Sequence, residues 1–210
     1  MTISTFSELQ TAVMDWLKDR TDLGSFAPDF ITLAENVLNF GMGDDFPPLR
    51  TRDMETIATL TSTSGVAALP TDYLQYRRLV ASSGMRYPIH YVSPDGADEL
   101  YPTGQAGLAK HFTIVGSNLY TYPKVTADVE LTYYAKIPAL TASNTTNWLL
   151  TKNPSVYLRA ALMQAAEFIK DDVEAQKQTL ICRSLMNGLQ NSDFMANYAR
   201  AGVTLRGNTP

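Results

Sequence analysis

The residues that could carry out chemistry in this sequence are few and widely spaced. His90 and His111 are the two histidines, and Cys182 is the single cysteine. A metal site needs several such ligands at short, regular spacing, such as two histidines one turn apart on a helix. That spacing is missing, and a lone cysteine cannot form a disulfide or a paired-thiol centre within one chain. We therefore expect no metal and no cofactor.

Nucleophilic catalysis is the second kind of chemistry to consider. A serine or Cys182 can meet His90 or His111 only through folding, and no Gly-x-Ser-x-Gly turn presents a nucleophile. The adjacent aspartates at 44–45 and 171–172 diverge if they lie on a helix, so we interpret them as caps or surface charge. The sequence predicts no catalytic residue and a protein that is not an enzyme.

Phosphate and nucleic-acid binding are also disfavoured. Gly104 and Gly107 lack the following lysine of a phosphate-binding loop, so they are interpreted as loop glycines. The net charge is −4, from 17 basic and 21 acidic residues, and the arginines occur as scattered pairs. Such pairs, Arg50 with Arg52 and Arg77 with Arg78, are typical of solvated surface. We therefore do not expect the protein to bind nucleic acid tightly.

The chain shows no sign of a membrane segment. Its opening residues lack the basic and apolar regions of a leader peptide, and no window reaches the ~18 apolar residues of a membrane span. We expect a soluble protein that is made in the cytosol.

Two helices are predicted before residue 53. Thr5 and Glu8 fit a capping box, and apolar residues at helical spacing follow, which predicts a helix from 5 to about 20. Pro28 suits a first turn and Gly41 suits a helix stop, which predicts a second helix over about 28–41.

From 53 to 138 the apolar period changes to two, and threonine, tyrosine and valine are frequent, which predicts strands. Ser64-Gly65 and the 116–118 segment read as turns, and 94–100 reads as a short helix. Strands are expected at 54–61, 66–69, 73–81, 86–92, 112–115, 119–122 and 129–134.

Helix resumes after the strands. Asn153 as cap and Pro154 in the first turn start a helix that is apolar almost all round through Ile169, which indicates a buried position. A last helix is expected from 171–172 to about Ala201, with a break near Gly188. Its predicted apolar stripe is Val173, Leu180, Ile181, Leu185 and Leu189.

These elements define an α+β fold. An α-helical bundle is expected from both chain ends, residues 1–52 and 139–201, with an antiparallel β-rich insertion over 53–138 and a C-terminal tail over 202–210.

Several segments together resemble a known family. Residues 130–140 (ELTYYAKIPAL), Asn147-Trp148-Leu149-Leu150 and the alanine-rich stretch from Asn153 to Asp172 are similar to the head-to-tail adaptor, or connector, proteins of short-tailed phages. The likeness extends to 112–116 and to the opening helix. It does not include 41–52, which matches no family feature.

The resemblance implies a structural virion protein at the head-to-tail junction, present in the host cytoplasm during assembly. It implies a homo-oligomeric ring of twelve subunits between the portal protein and a tail or nozzle protein. The ring would form part of the DNA ejection channel, through which DNA passes without specific binding. We expect subunits to pack through exposed apolar surface and the channel to be lined by acidic and neutral groups.

Tyrosines keep other functions open. Nine of the eleven lie between Tyr73 and Tyr134, and tyrosine suits strands, protein interfaces and sugar binding alike. A tyrosine-rich glycan-binding module, or another tail-associated protein, is the alternative. A glycoside hydrolase is a third interpretation, but the sequence does not identify two carboxylates that face each other across a cleft.

The tail carries one site hypothesis. Val203, Thr204 and Leu205 alternate like a strand, and Arg206 follows, so these four residues are candidates for docking on the portal. An ordinary frayed terminus is the other interpretation.

Overall fold

A computed structural model describes residues 3–18, 20–43, 46–102 and 107–198. It is a mixed α and β structure with a seven-stranded sheet, which confirms the α+β class. The described residues fall into two compact units. The strand unit is Met54–Lys136, and the helical unit is built from the segments before and after it.

Six α-helices are present in the described residues. None of them is both long enough and apolar enough to cross a lipid bilayer. In chain order they are α1 Phe6–Trp16, α2 Ala27–Phe40, α3 Pro94–Leu100, α4 Trp148–Lys152, α5 Pro154–Phe168 and α6 Asp172–Tyr198.

The capping box predicted for α1 is confirmed. The Thr5 hydroxyl accepts from the Glu8 N–H at 3.3 Å, and the Glu8 carboxylate accepts from the Thr5 N–H at 3.0 Å. The predicted end near 20 is wrong, because α1 ends at Trp16 and Lys18 has a positive φ of 46°. A left-handed residue cannot continue the helix.

Helix α5 is the buried centre of the helical unit, and α1, α2, α4 and α6 all pack against it. Asn153 is the N-cap residue of α5 and Pro154 lies in its first turn, as predicted, but the Asn153 side chain makes no capping bond. Asn147 does make one, accepting from the Leu150 N–H at 2.9 Å. It starts α4, a short helix that the sequence pattern did not predict.

Two expectations for α6 are corrected by its packing. The helix runs without a break through Gly188. Its buried face is Gln178, Cys182 and Met186, whereas Val173 is 79% exposed and Leu180 is 65% exposed. Gln178 tolerates burial because it accepts from Arg159 at 3.0 Å and donates to Glu174 at 2.6 Å. The apolar stripe predicted for α6 therefore lies on a face of the helix that points partly to solvent.

The stretch 41–52, which matched no family feature, has a clear structural role in its described part. Gly41 has φ +78°, and a Cβ there would come within 2.7 Å of the Phe46 carbonyl oxygen. The chain then folds back, so that Phe46 and Leu49 are buried and the Leu49 N–H donates to the Leu38 carbonyl at 2.9 Å. The segment closes the end of α2.

The strand unit contains one sheet in the order β1-β7-β3-β4-β5-β6-β2. Every pairing is antiparallel except β4 with β5, whose parallel connection contains α3. The strands are β1 Glu55–Ser62, β2 Val66–Ala68, β3 Tyr73–Ala81, β4 Pro88–Tyr91, β5 His111–Val115, β6 Asn118–Tyr122 and β7 Ala127–Ala135.

The predicted turns are present. The hairpin of β5 and β6 is confirmed, with Gly116 at φ 59°. Ser64 and Gly65 turn between β1 and β2, but β1 pairs with β7 and β2 pairs with β6. Alternating side chains from these strands form the core of the unit, which includes Leu79, Phe112, Leu119, Val129 and Leu131.

Candidate functional site

The two histidines, distant in sequence, are neighbours in the sheet. His90 on β4 is the register partner of His111 on β5. The Nδ1 atom of His111 lies 2.7 Å from the Tyr101 hydroxyl, and the Tyr101 ring stacks on Tyr122. In the part of the chain that the structure describes, no three His, Cys, Asp or Glu side chains gather in a way that could hold a metal ion.

Cys182 is enclosed between α6 and α5. Its side chain is fully buried, and its thiol donates to the Val156 carbonyl oxygen at 3.9 Å. Burial raises the pKa of this thiol to about 12. A protonated, enclosed thiol is a poor nucleophile, so the geometry gives Cys182 a packing role.

The other residues weighed for chemistry have ordinary structural roles where the structure describes them. Asp171 acts as a cap, accepting from the Glu174 N–H at 3.0 Å, and Asp172 begins α6, as the cap interpretation expected. Gly107 is a loop residue with φ 145°. Positions 44–45 and Gly104 lie outside the described residues.

A buried polar cluster was missed by the sequence patterns. Glu35, on α2, accepts from the Leu140 N–H at 2.8 Å and from the Tyr157 hydroxyl at 3.0 Å. The Asn147 amide donates to Tyr157 and to the Pro138 carbonyl, both at 2.7 Å. The cluster therefore fixes the 138–140 segment between α2 and α5.

Burial sets the protonation of this cluster. Desolvation raises the pKa of Glu35, against the opposing effect of the two hydrogen bonds that it accepts. The pKa of Tyr157 is also raised, by burial and then by the charge of Glu35. A signal for the cluster was present in the sequence, since Glu35 and Asn39 occupy apolar-face positions of α2 one turn apart.

The tyrosines of the strand unit pack mainly on one another and on the core. Tyr76 and Tyr91 stack at 5.5 Å, and both meet the Phe112 ring edge-on. Tyr133 is buried and donates to Asp72 at 2.9 Å. Stacked partners do not present open coplanar faces to a sugar, so this geometry gives no support to a glycan-binding groove.

Three of the four arginines singled out by sequence bind groups within their own units. Arg50 donates to the Asn39 carbonyl at 3.0 Å. Arg52 binds the Asp193 carboxylate through its Nε at 2.5 Å and its backbone N–H at 2.9 Å. Arg77 pairs with Glu55 at 3.1 Å.

The helical unit carries a groove with a volume of about 650 Å³. Its apolar lining includes Met42, Met163 and Leu180, and Glu167 and Asp172 supply carboxylates. We call this the α5–α6 groove. Met42 and Leu180 are exposed, and exposed apolar residues beside a concavity are typical of protein-binding surfaces. The remaining lining residues are Ala175, Gln176, Thr179 and Arg183.

The portal-docking hypothesis names four residues of the tail. Val203, Thr204, Leu205 and Arg206 lie outside the described residues, so their portal-docking role stays a prediction.

An open groove with apolar walls indicates a protein that binds a partner at this surface. A family model described as SU10 adaptor protein matches residues 4–205. The chain therefore belongs to the SU10 adaptor protein family, and the predicted resemblance to phage head-to-tail adaptors is confirmed. No curated protein matches the chain.

Family membership establishes the general role. The chain is a phage structural adaptor, a class that is not normally enzymatic, and its place is in the virion. The α5–α6 groove is its candidate interaction site.

Proposed function

We propose that copies of this chain form a ring, of twelve by the resemblance, that joins the portal to the tail or nozzle. DNA leaving the head passes through the ring without specific binding. The observation that carries the proposal is the match of the adaptor family to residues 4–205.

In this proposal the two units have different tasks. The bundle built from 1–52 and 139–201 makes the platform of the ring, and the insertion over 53–138 adds surface to it. Exposed side chains of the helical unit support lateral packing, because Leu33, Phe40, Val173 and Leu180 are each about half or more exposed. We expect the contact between neighbouring subunits to exceed ~1,000 Å² in total.

Charge supports a passive channel. The chain carries a net charge of −4, and Arg50, Arg52 and Arg77 already bind groups of their own unit. A lining rich in free lysine and arginine would hold the phosphates of DNA, whereas acidic and neutral groups let the polymer slide.

The test is to measure mass by light scattering for the purified chain, the purified portal and their mixture. We expect the mixture to give a single larger particle in which adaptor and portal are present in a fixed ratio. Class averages from electron microscopy should show a ring coaxial with the portal. A chain that ignores portal and binds glycans on an array would overturn the proposal.

A further inference from the structure

Charge is distributed unevenly along the α5–α6 groove. Glu167 and Asp172 lie where α5 ends and α6 begins, and both side chains are exposed. Arg183 lies three turns further along α6, which is about 16 Å at 1.5 Å per residue. One end of the groove is therefore acidic, and Met42, Met163 and Leu180 make its walls apolar.

An occupant that fits this groove has apolar anchors and a positive charge. The chain itself contains such a segment after α6, with Val203 and Leu205 as anchors and Arg200 and Arg206 on either side. In an extended segment, residues two apart point to the same side, so both anchors can face one wall. A groove of about 650 Å³ also lies within the ~300–1,000 Å³ range of clefts that bind ligands.

The segment is too short to place its two anchors beside Leu180, or Arg206 at the acidic end, in the groove of its own chain. Leu180 precedes Tyr198, the last described residue of α6, by five turns, which is about 27 Å of helix. Val203 and Leu205 follow Tyr198 by five and seven residues, which span at most about 17 and 24 Å. Asp172 is further still, at about 39 Å.

We propose that residues 200–206 of one copy dock in the α5–α6 groove of a neighbouring copy. Val203 and Leu205 pack against Met42 and Leu180, and Arg206 pairs with Glu167 at the acidic end. The inference rests on the proposed ring, because a head-to-tail contact of this kind repeats around a closed assembly. The sequence hypothesis sends the same residues to the portal, and the experiment separates the two destinations.

The test uses two single-cysteine additions to the full chain, Leu180→Cys and Leu205→Cys. Rings are assembled with portal from a mixture of the two variants, oxidised, and run on a non-reducing gel. We expect a covalent dimer from the mixture and none from either variant alone, since native Cys182 is buried. A chain with both cysteines should give a ladder of multimers.

Charge reversal gives an independent measurement. Arg206→Glu should slow disulfide formation between the two cysteine variants about tenfold, and Glu167→Lys in the partner should restore it. Circular dichroism checks that each variant is folded, which the exposure of Leu180 and Glu167 favours.

Failure of this inference can be distinguished from failure of the proposed function. Rings of normal mass without the dimer overturn this inference and leave the proposed function in place. The same holds if truncation after Ala201 abolishes binding to portal but leaves adaptor rings intact, because the portal is then the destination. If no ring forms from the unmodified chain, both proposals fail.

Discussion

Glu35 is a carboxylic acid enclosed by a backbone donor and a tyrosine, and burial raises its pKa. Its folded form therefore holds a proton more readily than the unfolded chain does. The resulting stabilisation is complete below the unfolded pKa, near 4.5, and is lost as the pH rises through the folded pKa.

The first prediction follows from the loss of the Glu35 stabilisation as the pH rises. Glu35→Gln keeps the acceptor oxygen and stays neutral, so its melting temperature relative to the parent should increase from pH 4 to pH 8. Thermal melts by circular dichroism across this range provide the measurement. A difference that is constant with pH would show that the Glu35 pKa is not raised.

Glu8 provides a control of opposite sign. Hydrogen bonds from Ser4, with a smaller contribution from Thr5, lower the pKa of Glu8. Its stabilisation is therefore present above the unfolded pKa and is lost as the pH falls through the folded pKa. Glu8→Gln should be less stable than the parent at pH 8, and the difference should shrink towards pH 3.

A second prediction concerns buried hydroxyls of the strand unit. The Thr113 hydroxyl is buried without a hydrogen-bond partner among the described residues. Thr113→Val should raise the free energy of unfolding by about 1 kcal/mol, because it removes an unpaired polar group. Urea unfolding followed by fluorescence measures the change.

The neighbouring strand offers the matched control. Thr121 is equally buried, but its hydroxyl lies 3.3 Å from the Ser62 hydroxyl. Thr121→Val should lower the free energy of unfolding by about 1 kcal/mol, since it leaves Ser62 with one partner fewer. If both substitutions shift stability in the same direction, pairing of the hydroxyl is not the cause.

For individual residues, local motifs could be predicted from the sequence, but contacts between distant residues could not. The capping box of Thr5 and Glu8 was readable because both members lie within one turn. Glu35 and Leu140 are 105 residues apart, so no local pattern shows that they meet. The polar cluster is a product of long-range packing.

Among the elements, α6 differs most from its sequence pattern. Val173 and Leu180 suggested the inner face, yet they point to solvent while Gln178 is buried. Periodicity identifies an apolar stripe but does not say which surface covers it. On a helix that is mostly polar, a second copy can cover the outer residues as well as α5 covers the inner ones.

Gly188 gives the prediction for this element. It lies inside α6, and a Cβ there would meet nothing within 4 Å. Gly188→Ala should raise the free energy of unfolding by up to about 1 kcal/mol, because alanine loses less backbone entropy in a helix. Urea denaturation curves would show it as a higher midpoint with an unchanged slope.

Gly41→Ala is the paired control. Its φ of +78° and the 2.7 Å approach of the Phe46 oxygen leave no room for a side chain. This substitution should lower the free energy of unfolding by more than Gly188→Ala raises it. If Gly188→Ala is also destabilising, the helix is broken at that position, as the sequence had indicated.

For the whole molecule, the sequence predicted where strands replace helices but not the order of the strands. Ser64-Gly65 marks a turn, and the pairing of β1 with β7 depends on residues about 70 positions away. That pairing places Glu55 opposite Tyr134, so the chain enters and leaves the strand unit on adjacent strands. Such an arrangement is typical of an inserted domain.

The last prediction tests whether the strand unit is an autonomous insertion. Residues 54–136 expressed alone should fold cooperatively, because their core and every strand pairing are internal. Paired ends lie ~5 Å apart, so a short Gly-Ser linker from Asp53 to Ile137 should leave the helical unit folded too. Circular dichroism should show a strand spectrum for the first protein and a helical spectrum with a cooperative melt for the second.

A fragment of residues 88–136 is the control, because β7 loses both of its partners, β1 and β3, and should not fold. If the linked helical unit is unfolded while the strand unit folds, the helices depend on the insertion, and the division into platform and insertion is wrong.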